Sequence, residues 1–338
     1  MRDQTQILSI PSNWKTELSQ SLKSVDELLE SLQLDASLLS GAQRAAMEFP
    51  LQVPRPYLER IRHGDPQDPL LTQVLPVQQE LDTVEGFDDD PLDEAAHNPH
   101  PGIVHKYRNR LLLIVSPACA INCRYCFRRH FPYQQQRQNR QQWQSALNYI
   151  RQHRELNEII YSGGDPLAAN DKFLGWLTEQ ISQISHIKRL RVHSRLPIVI
   201  PSRIDDELLQ WMTASRLQPT LVVHINHANE IDDAVEAGLH RLQENRIRVF
   251  NQSVLLKGVN DCAETLVSLS ERLYDCRVNP YYLHLLDPVK GAAHFDVCES
   301  RATQIYAEMQ AALPGFLLPR LVREVPGKAA KTIVATTL

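Results

Sequence analysis

The chain has 338 residues, 43% of them apolar and 22% charged, with a formal net charge of −4. That length holds one large α/β domain with an extension, and the slight acidity gives no electrostatic reason to expect a nucleic-acid partner. No apolar run approaches the ~18 residues of a membrane span, and Met1–Ile10 lacks a signal-peptide apolar core, so a cytoplasmic protein with reduced thiols and no membrane association is expected.

In chain order, residues 1–100 read as an N-terminal helical extension interrupted by proline. Ser24-Val-Asp-Glu27 has capping-box spacing, and Leu28, Leu29, Leu32, Leu38 and Leu39 follow at near-helical intervals. Pro54, Pro56, Pro66 and Pro69 then break regular structure, and Asp88-Asp89-Asp90-Pro91 reads as a solvated turn. Beyond about residue 101 the texture changes. Six β-rich runs, Leu111–Val115, Glu158–Tyr161, Leu190–His193, Leu221–Ile225, Arg248–Leu255 and Pro280–His284, alternate with amphipathic segments near 140–154, 171–185, 205–216, 230–245, 262–275 and 300–312. This rhythm predicts right-handed βαβ units and a parallel sheet. Six units are too few for a closed eight-stranded barrel, so the expected fold is α/β, a partial (β/α)6 barrel over 101–312. A short C-terminal segment, 313–338, follows it. Ligands are expected beyond the C-terminal ends of the strands.

Polar residues gather at those ends. After the first strand comes Cys119-Ala-Ile-Asn-Cys123-Arg-Tyr-Cys126. Three thiolates so spaced can hold three irons of a cubane cluster and leave the fourth open to bind a small molecule and pass it an electron. A disulfide framework does not suit six cysteines in a chain of this length. A zinc site wants four ligands, and His130 lies near enough in sequence to supply one, so the triplet alone leaves zinc open. Ser162-Gly163-Gly164-Asp165-Pro166 follows the second strand, where paired glycines let the backbone approach a ligand. His193-Ser194-Arg195, His224 with Asn226 and His227, Asn251-Gln252-Ser253, and Asp287 occupy the later ends. A last short strand, Leu321–Val325, feeds a Pro326-Gly327 turn that presents Lys328 and Lys331. A lysine with a lowered pKa can form a Schiff base with pyridoxal 5′-phosphate (PLP), and local chemistry does not separate these two. Cys262, Cys276 and Cys298 are scattered and read as ordinary thiols.

The spacing CxxxCxxC resembles the radical S-adenosylmethionine (SAM) signature, and the whole ordered set resembles the lysine 2,3-aminomutase family, most closely its short form associated with elongation factor P. The resemblance spans about residues 98–336. It takes in His105-Lys-Tyr-Arg-Asn-Arg110, the Cys triplet with Arg128-Arg129, Ser162–Asp165, Ser194-Arg195, His224-Ile-Asn-His227, Asn251–Asp261, Pro280-Tyr-Tyr282 and Pro-Gly-x-x-x-Lys331. It implies a [4Fe-4S] cluster on Cys119, Cys123 and Cys126, SAM bound by Ser162, Gly163, Gly164 and Asp165, and a cofactor contact from Gln252. Alignment on Pro326-Gly327 puts PLP on Lys331, with its phosphate on Lys106, Tyr107 and Arg110. Arg128 would grip the substrate carboxylate, and Asp287 and Glu324 its far ammonium.

The implied activity is that of an isomerase converting L-lysine to β-lysine for modification of elongation factor P. Implied partners are a flavodoxin- or ferredoxin-type electron donor and a functional link to that factor and its lysine ligase. Three departures stand out. Lys106 replaces a family arginine, so a fork donor becomes a point charge. Glu324 replaces the Asp of longer members. Cys262 follows Asn260-Asp261 without the C-terminal Cys cluster of those members, so no structural zinc is expected. An aminomutase acting on glutamate or arginine, and a non-catalytic iron–sulfur or zinc protein, are the competing readings. Acids at both Asp287 and Glu324 favour a cationic substrate side chain.

Overall fold

The structure is a computed structural model describing residues 13–136 and 138–334, so the reading of Met1–Ile10 lies outside the described residues. The extension forms α1 (Trp14–Ser19), α2 (Val25–Ser31), α3 (Leu39–Glu48), α4 (Arg55–Leu58) and α5 (Pro69–Thr72). The Ser24 hydroxyl caps α2 by accepting from the Glu27 amide at 3.4 Å, and the Asp68 carboxylate caps α5 through the Leu70 and Leu71 amides. Leu28, Leu32, Tyr57, Leu70 and Leu71 are fully buried and belong to the same apolar core as the barrel strands and helices. The extension is therefore welded to the barrel.

The six expected strands are present, and the sheet extends past them at both edges. A hairpin of β1 (Ile103–Tyr107) and β2 (Arg110–Ser116) opens it. Then β3 (Glu158–Gly163), β4 (Arg189–Ser194), β5 (Gln218–His224), β6 (Arg248–Val254), β7 (Asn279–His284) and β8 (Arg320–Arg323) continue parallel to β2. A two-residue β9 (Thr332–Ile333) returns antiparallel to β8. Strand order follows chain order from β1 to β9, leaving an open sheet. Helices α6 (Arg140–Gln152), α7 (Asp171–Ser182), α8 (Leu196–Val199), α9 (Asp206–Thr213), α10 (Asp233–Glu244), α11 (Ala263–Asp275) and α12 (Glu299–Ala312) lie in the crossovers. Asn139, Asn170, Asp205 and Asp232 cap α6, α7, α9 and α10, which explains why those helices begin where they do.

The parallel strands have two chemically different faces. Leu111, Leu113, Ile159, Tyr161, Leu190 and Val192 are buried in the main core. The alternating residues Arg110, Leu112, Glu158, Ile160, Arg191 and His193 face an internal cavity. Side chains alternate along a strand, and parallel strands covered on both faces are ordinarily apolar throughout. Polar residues in the inward phase thus mark a lined interior.

One buried ion cluster ties the extension to the Cys loop. Glu80 accepts from Arg124 Nε and Nη2 at 2.8 and 2.5 Å and from Arg129 Nη2 at 2.7 Å, all three side chains being at most 2% exposed. Removing the shared acid strands two buried guanidinium groups. Glu80→Ala is expected to destabilise the fold by ~3–5 kcal/mol in denaturant titration. Breaking the exposed Arg55–Glu27 pair by Glu27→Ala should cost less than ~1 kcal/mol.

Candidate active site

A cavity of about 460 Å³ runs down the inside of the open barrel, and every residue assigned above to cluster, cofactor or substrate lines it. At its upper end the loop after β2 carries Cys119, Cys123 and Cys126, all half-buried. Gln52 steadies this loop by donating to the Cys119 and Ala120 carbonyls at 2.7 and 3.1 Å. Burial, reinforced by the neighbouring sulfurs, pushes the Cys119 thiol well up and the Cys126 thiol to about 11. Buried thiols crowded in this way become thiolates readily only beside a cation, which suits an iron–sulfur cluster. His130, the conceivable zinc ligand, instead hydrogen-bonds the Lys290 carbonyl at 3.1 Å.

The glycine segment cradles the Cys loop. Gly163 has φ +131°, and a Cβ there would sit 2.3 Å from the Ser116 carbonyl oxygen; one on Gly164 would sit 2.6 Å from that of Ala118. In return the Gly164 amide donates to Ser116 O at 2.8 Å and the Asp165 amide to Ala118 O at 2.6 Å. The Asp165 carboxylate accepts from the Leu167 amide, the Ser194 hydroxyl, and the Arg195 and Leu196 amides at 3.0, 2.6, 2.8 and 2.8 Å. Four donors fill its acceptor capacity. Asp165, expected as a SAM contact, therefore lines the wall with its carboxylate already taken up by its own chain.

Arg195 had no role assigned from sequence. Its Nη1 lies 2.7 Å from both Cys123 Sγ and the Tyr125 hydroxyl, while Nη2 donates to Gln73 and Glu230 at 2.7 and 2.9 Å. Arg128 is also buried. Its Nε and Nη2 donate to the two oxygens of Glu94 at 2.7 Å each, and Nη1 reaches Ser162 Oγ at 3.0 Å. Glu94 was missed too, because it sits in the extension with no strand end to mark it.

At the far end Lys331 Nζ donates to Glu324 at 2.7 Å, and the Tyr107 hydroxyl donates to the same carboxylate at 2.5 Å. Burial alone would push Glu324 up, but the Lys331 ammonium and the Tyr107 hydroxyl outweigh it and hold the acid below its ordinary range. Burial pushes Asp287 up to about 7 against the pull of Lys331. Lys328 is exposed and absent from the wall, whereas Lys331 is half-buried on it. Gly327, at φ +75°, supplies the left-handed turn that sends the chain back as β9. Lys106 donates to the Leu92 carbonyl at 2.6 Å, and the Arg110 guanidinium stacks 3.8 Å from the Tyr107 ring centroid. These three belong to the β1–β2 hairpin end, and Arg110 begins β2. The C-terminal-edge rule thus locates the sulfur end and the acids Asp287 and Glu324, which follow β7 and β8, but not these three hairpin residues.

His193, His224 and His284 line the middle. Burial holds all three neutral, His224 down to about 3. Gln252 shares a hydrogen bond with His224 Nε2 at 3.0 Å. Nε2 of His193 and of His284 is buried without a partner among the described residues, so this wall fits a polar ligand. A second, mostly apolar cavity behind β2, lined by Trp143, Phe173 and Trp176, has no thiol, acid or histidine among its described lining residues; the chemistry belongs to the cavity inside the barrel.

Comparison with known proteins agrees with this arrangement. Residues 113–269 match the Radical SAM superfamily. The chain is 50% identical over 328 residues to the L-lysine 2,3-aminomutase of Escherichia coli, covering 96% of each chain. It is 46% identical over 332 residues to that of Haemophilus influenzae, covering 98% of each. It is 31% identical to that of Clostridium subterminale, covering 96% of this chain and 78% of the other.

The glycine cradle is directly testable. Gly163→Ala must displace the backbone from which Cys119 hangs, and is expected to lower iron and sulfide incorporation on anaerobic reconstitution. Parent-like iron content in that variant would show that the loop tolerates the shift.

Proposed function

The chain belongs to the L-lysine 2,3-aminomutase family of radical SAM isomerases, and on that premise we propose that it converts free L-lysine to β-lysine by a 2,3-amino shift. Membership of the superfamily implies a [4Fe-4S] cluster and SAM. The observation carrying the finer reading is a single cavity that brings the three thiols together with Arg128, Asp287, Glu324 and the half-buried Lys331. In this reading Cys119, Cys123 and Cys126 hold the cluster, with SAM against the Ser162–Asp165 segment and Gln252 as a further cofactor contact. Lys331 holds PLP, and Lys106, Tyr107 and Arg110 receive its phosphate.

When bound, the cluster and SAM supply a hydrogen-abstracting carbon radical, and PLP supplies an aldehyde that holds the migrating nitrogen and accepts an unpaired electron. The chain does the rest. Arg128 receives the α-carboxylate, while Asp287 and Glu324 receive the ε-ammonium, so that anchoring at both ends fixes C3. Val104, Leu112, Ile160, Val254 and Leu286 form apolar wall that keeps water from reactive carbon.

We read the barrel at 101–312 as the catalytic body, to which the segments 1–100 and 313–338 each add one wall. The product is read as supplying modification of elongation factor P, with electrons from a flavodoxin- or ferredoxin-type donor in the cytoplasm. The chain covers 96% and 98% of the Escherichia coli and Haemophilus influenzae relatives but 78% of the Clostridium subterminale one, which supports the short form of the family. No helix among the described residues is long and apolar enough to cross a membrane.

Lys331→Ala should lose the PLP absorbance while keeping its iron; borohydride-trapped PLP on Lys328 in that variant would overturn the assignment. A second test uses pH. Asp287 is neutral below its raised pKa of about 7 and attracts an ammonium only when ionised. The kcat/KM for L-lysine should therefore rise as pH increases through about 7. Asp287→Asn should flatten that rise and lower kcat/KM roughly ten- to a hundredfold, the worth of one charged hydrogen bond. An unchanged profile would remove Asp287 from the anchor.

A further inference from the structure

The segment from Asp88 to His97 belongs to no barrel strand, yet it is bonded to both ends of the substrate pocket. At one end the Asp88 amide donates to the Pro288 carbonyl at 3.0 Å and the Lys290 amide donates to the Asp88 carbonyl at 2.8 Å, immediately after Asp287. In its middle the Leu92 carbonyl accepts from Lys106. Within the segment the Asp90 carboxylate caps the next turn, accepting from the Glu94 and Ala95 amides at 3.0 and 3.1 Å, and at the other end Glu94 accepts from Arg128. The acidic run is the solvated turn expected from sequence, with Asp88, Asp89 and Asp90 exposed, and its Asp90 also braces the turn that carries Glu94.

Glu94 is 5% exposed, Arg128 7%, and the two make a bidentate pair through Nε and Nη2. That fork fixes the plane of the guanidinium group. It leaves the second Nη2 hydrogen for a further acceptor, beside Nη1, which donates to Ser162 Oγ and the Gly163 carbonyl at 3.0 and 3.4 Å. Because the segment is pinned to the barrel at Asp88 and Leu92 and its turn is braced from within by Asp90, Glu94 is poorly placed to swing out and make way for a substrate.

We propose that Glu94 is the positioning residue of Arg128, retained beside it during substrate binding so that the α-carboxylate meets a pre-oriented guanidinium edge. Residues 88–97 are then a working wall of the substrate pocket. The inference rests on the reading of Arg128 as the carboxylate anchor.

The experiment uses oxidised, PLP- and SAM-loaded protein, which binds without turning over. L-lysine and 1,5-diaminopentane, the same chain without its carboxylate, are titrated by the change in PLP absorbance. Glu94→Gln should weaken L-lysine binding by roughly tenfold or more, as small misplacements of an anchor do. It should leave diaminopentane binding, iron content and PLP content at parent values. Arg128→Lys is the control for the underlying reading. If it leaves the preference for L-lysine over diaminopentane unchanged, the anchor reading fails and the proposal with it. If Arg128→Lys loses the preference while Glu94→Gln keeps it, or binds L-lysine more tightly, the anchor stands and the positioning role is overturned. Should Glu94→Gln fail to load iron, Glu94→Asp decides in the same assay, since it keeps the charge but is too short to reach both nitrogens. A lost preference there supports the proposal, and a parent-like one overturns it.

Discussion

Charge cannot be left alone inside a barrel. Taking an ion out of water costs several kcal/mol even after relaxation, so an interior lined by cations and acids survives only if each is answered by another. Four pairs do this along the cavity. Arg195 meets Glu230, Arg128 meets Glu94, Lys331 meets Glu324, and Arg191 meets Glu158. The same pairing makes the interior usable, because groups proposed to bind a zwitterionic amino acid are held ionised and oriented beforehand. Where pairing is weakest, at Asp287, the acid drifts toward neutrality.

An open sheet makes such an interior possible. In a closed eight-stranded barrel the inward side chains fill the centre in layers; here the inward phase of the strands lines a cavity that spans their length. The upper rim is built by loops packed on loops. Gly163 and Gly164 let the second strand-end loop lie against the first, whose Ser116 and Ala118 carbonyls take the amides it offers. Behind it Arg195 bridges Cys123 to Gln73 and Glu230, joining the sulfur end to the extension. Gln52, Gln73, Glu80 and Glu94 all come from the first hundred residues, so the extension is part of the site's construction.

Much of the barrel is legible in the amino-acid sequence. Its strands and helices fall where periodicity places them, because caps such as Asn170 and Asp205 act over three residues and alternation acts over two. The Cys triplet is legible for the same reason. The two lysines after Gly327 are not separable locally, since both follow one turn; they differ because β9 pairs with β8 and turns Lys331 inward while Lys328 stays in solvent. Arg195 is visible but mute, its sulfur partner lying 72 residues away. Asp165 shows the converse: a residue that looks free in sequence has every acceptor site taken by its own chain.

The amino-acid sequence by itself determined the alternation of strand and helix, the thiol triplet and the turn that offers a lysine, all matters of spacing within a few residues. Only the tertiary structure decided that Glu94 answers Arg128, that the hairpin at Lys106–Arg110 closes the far end of the cavity, and that Glu324 holds Lys331. Those outcomes depend on which distant segments burial forces together, and the energy of pairing two charges exists only once water has been excluded from between them.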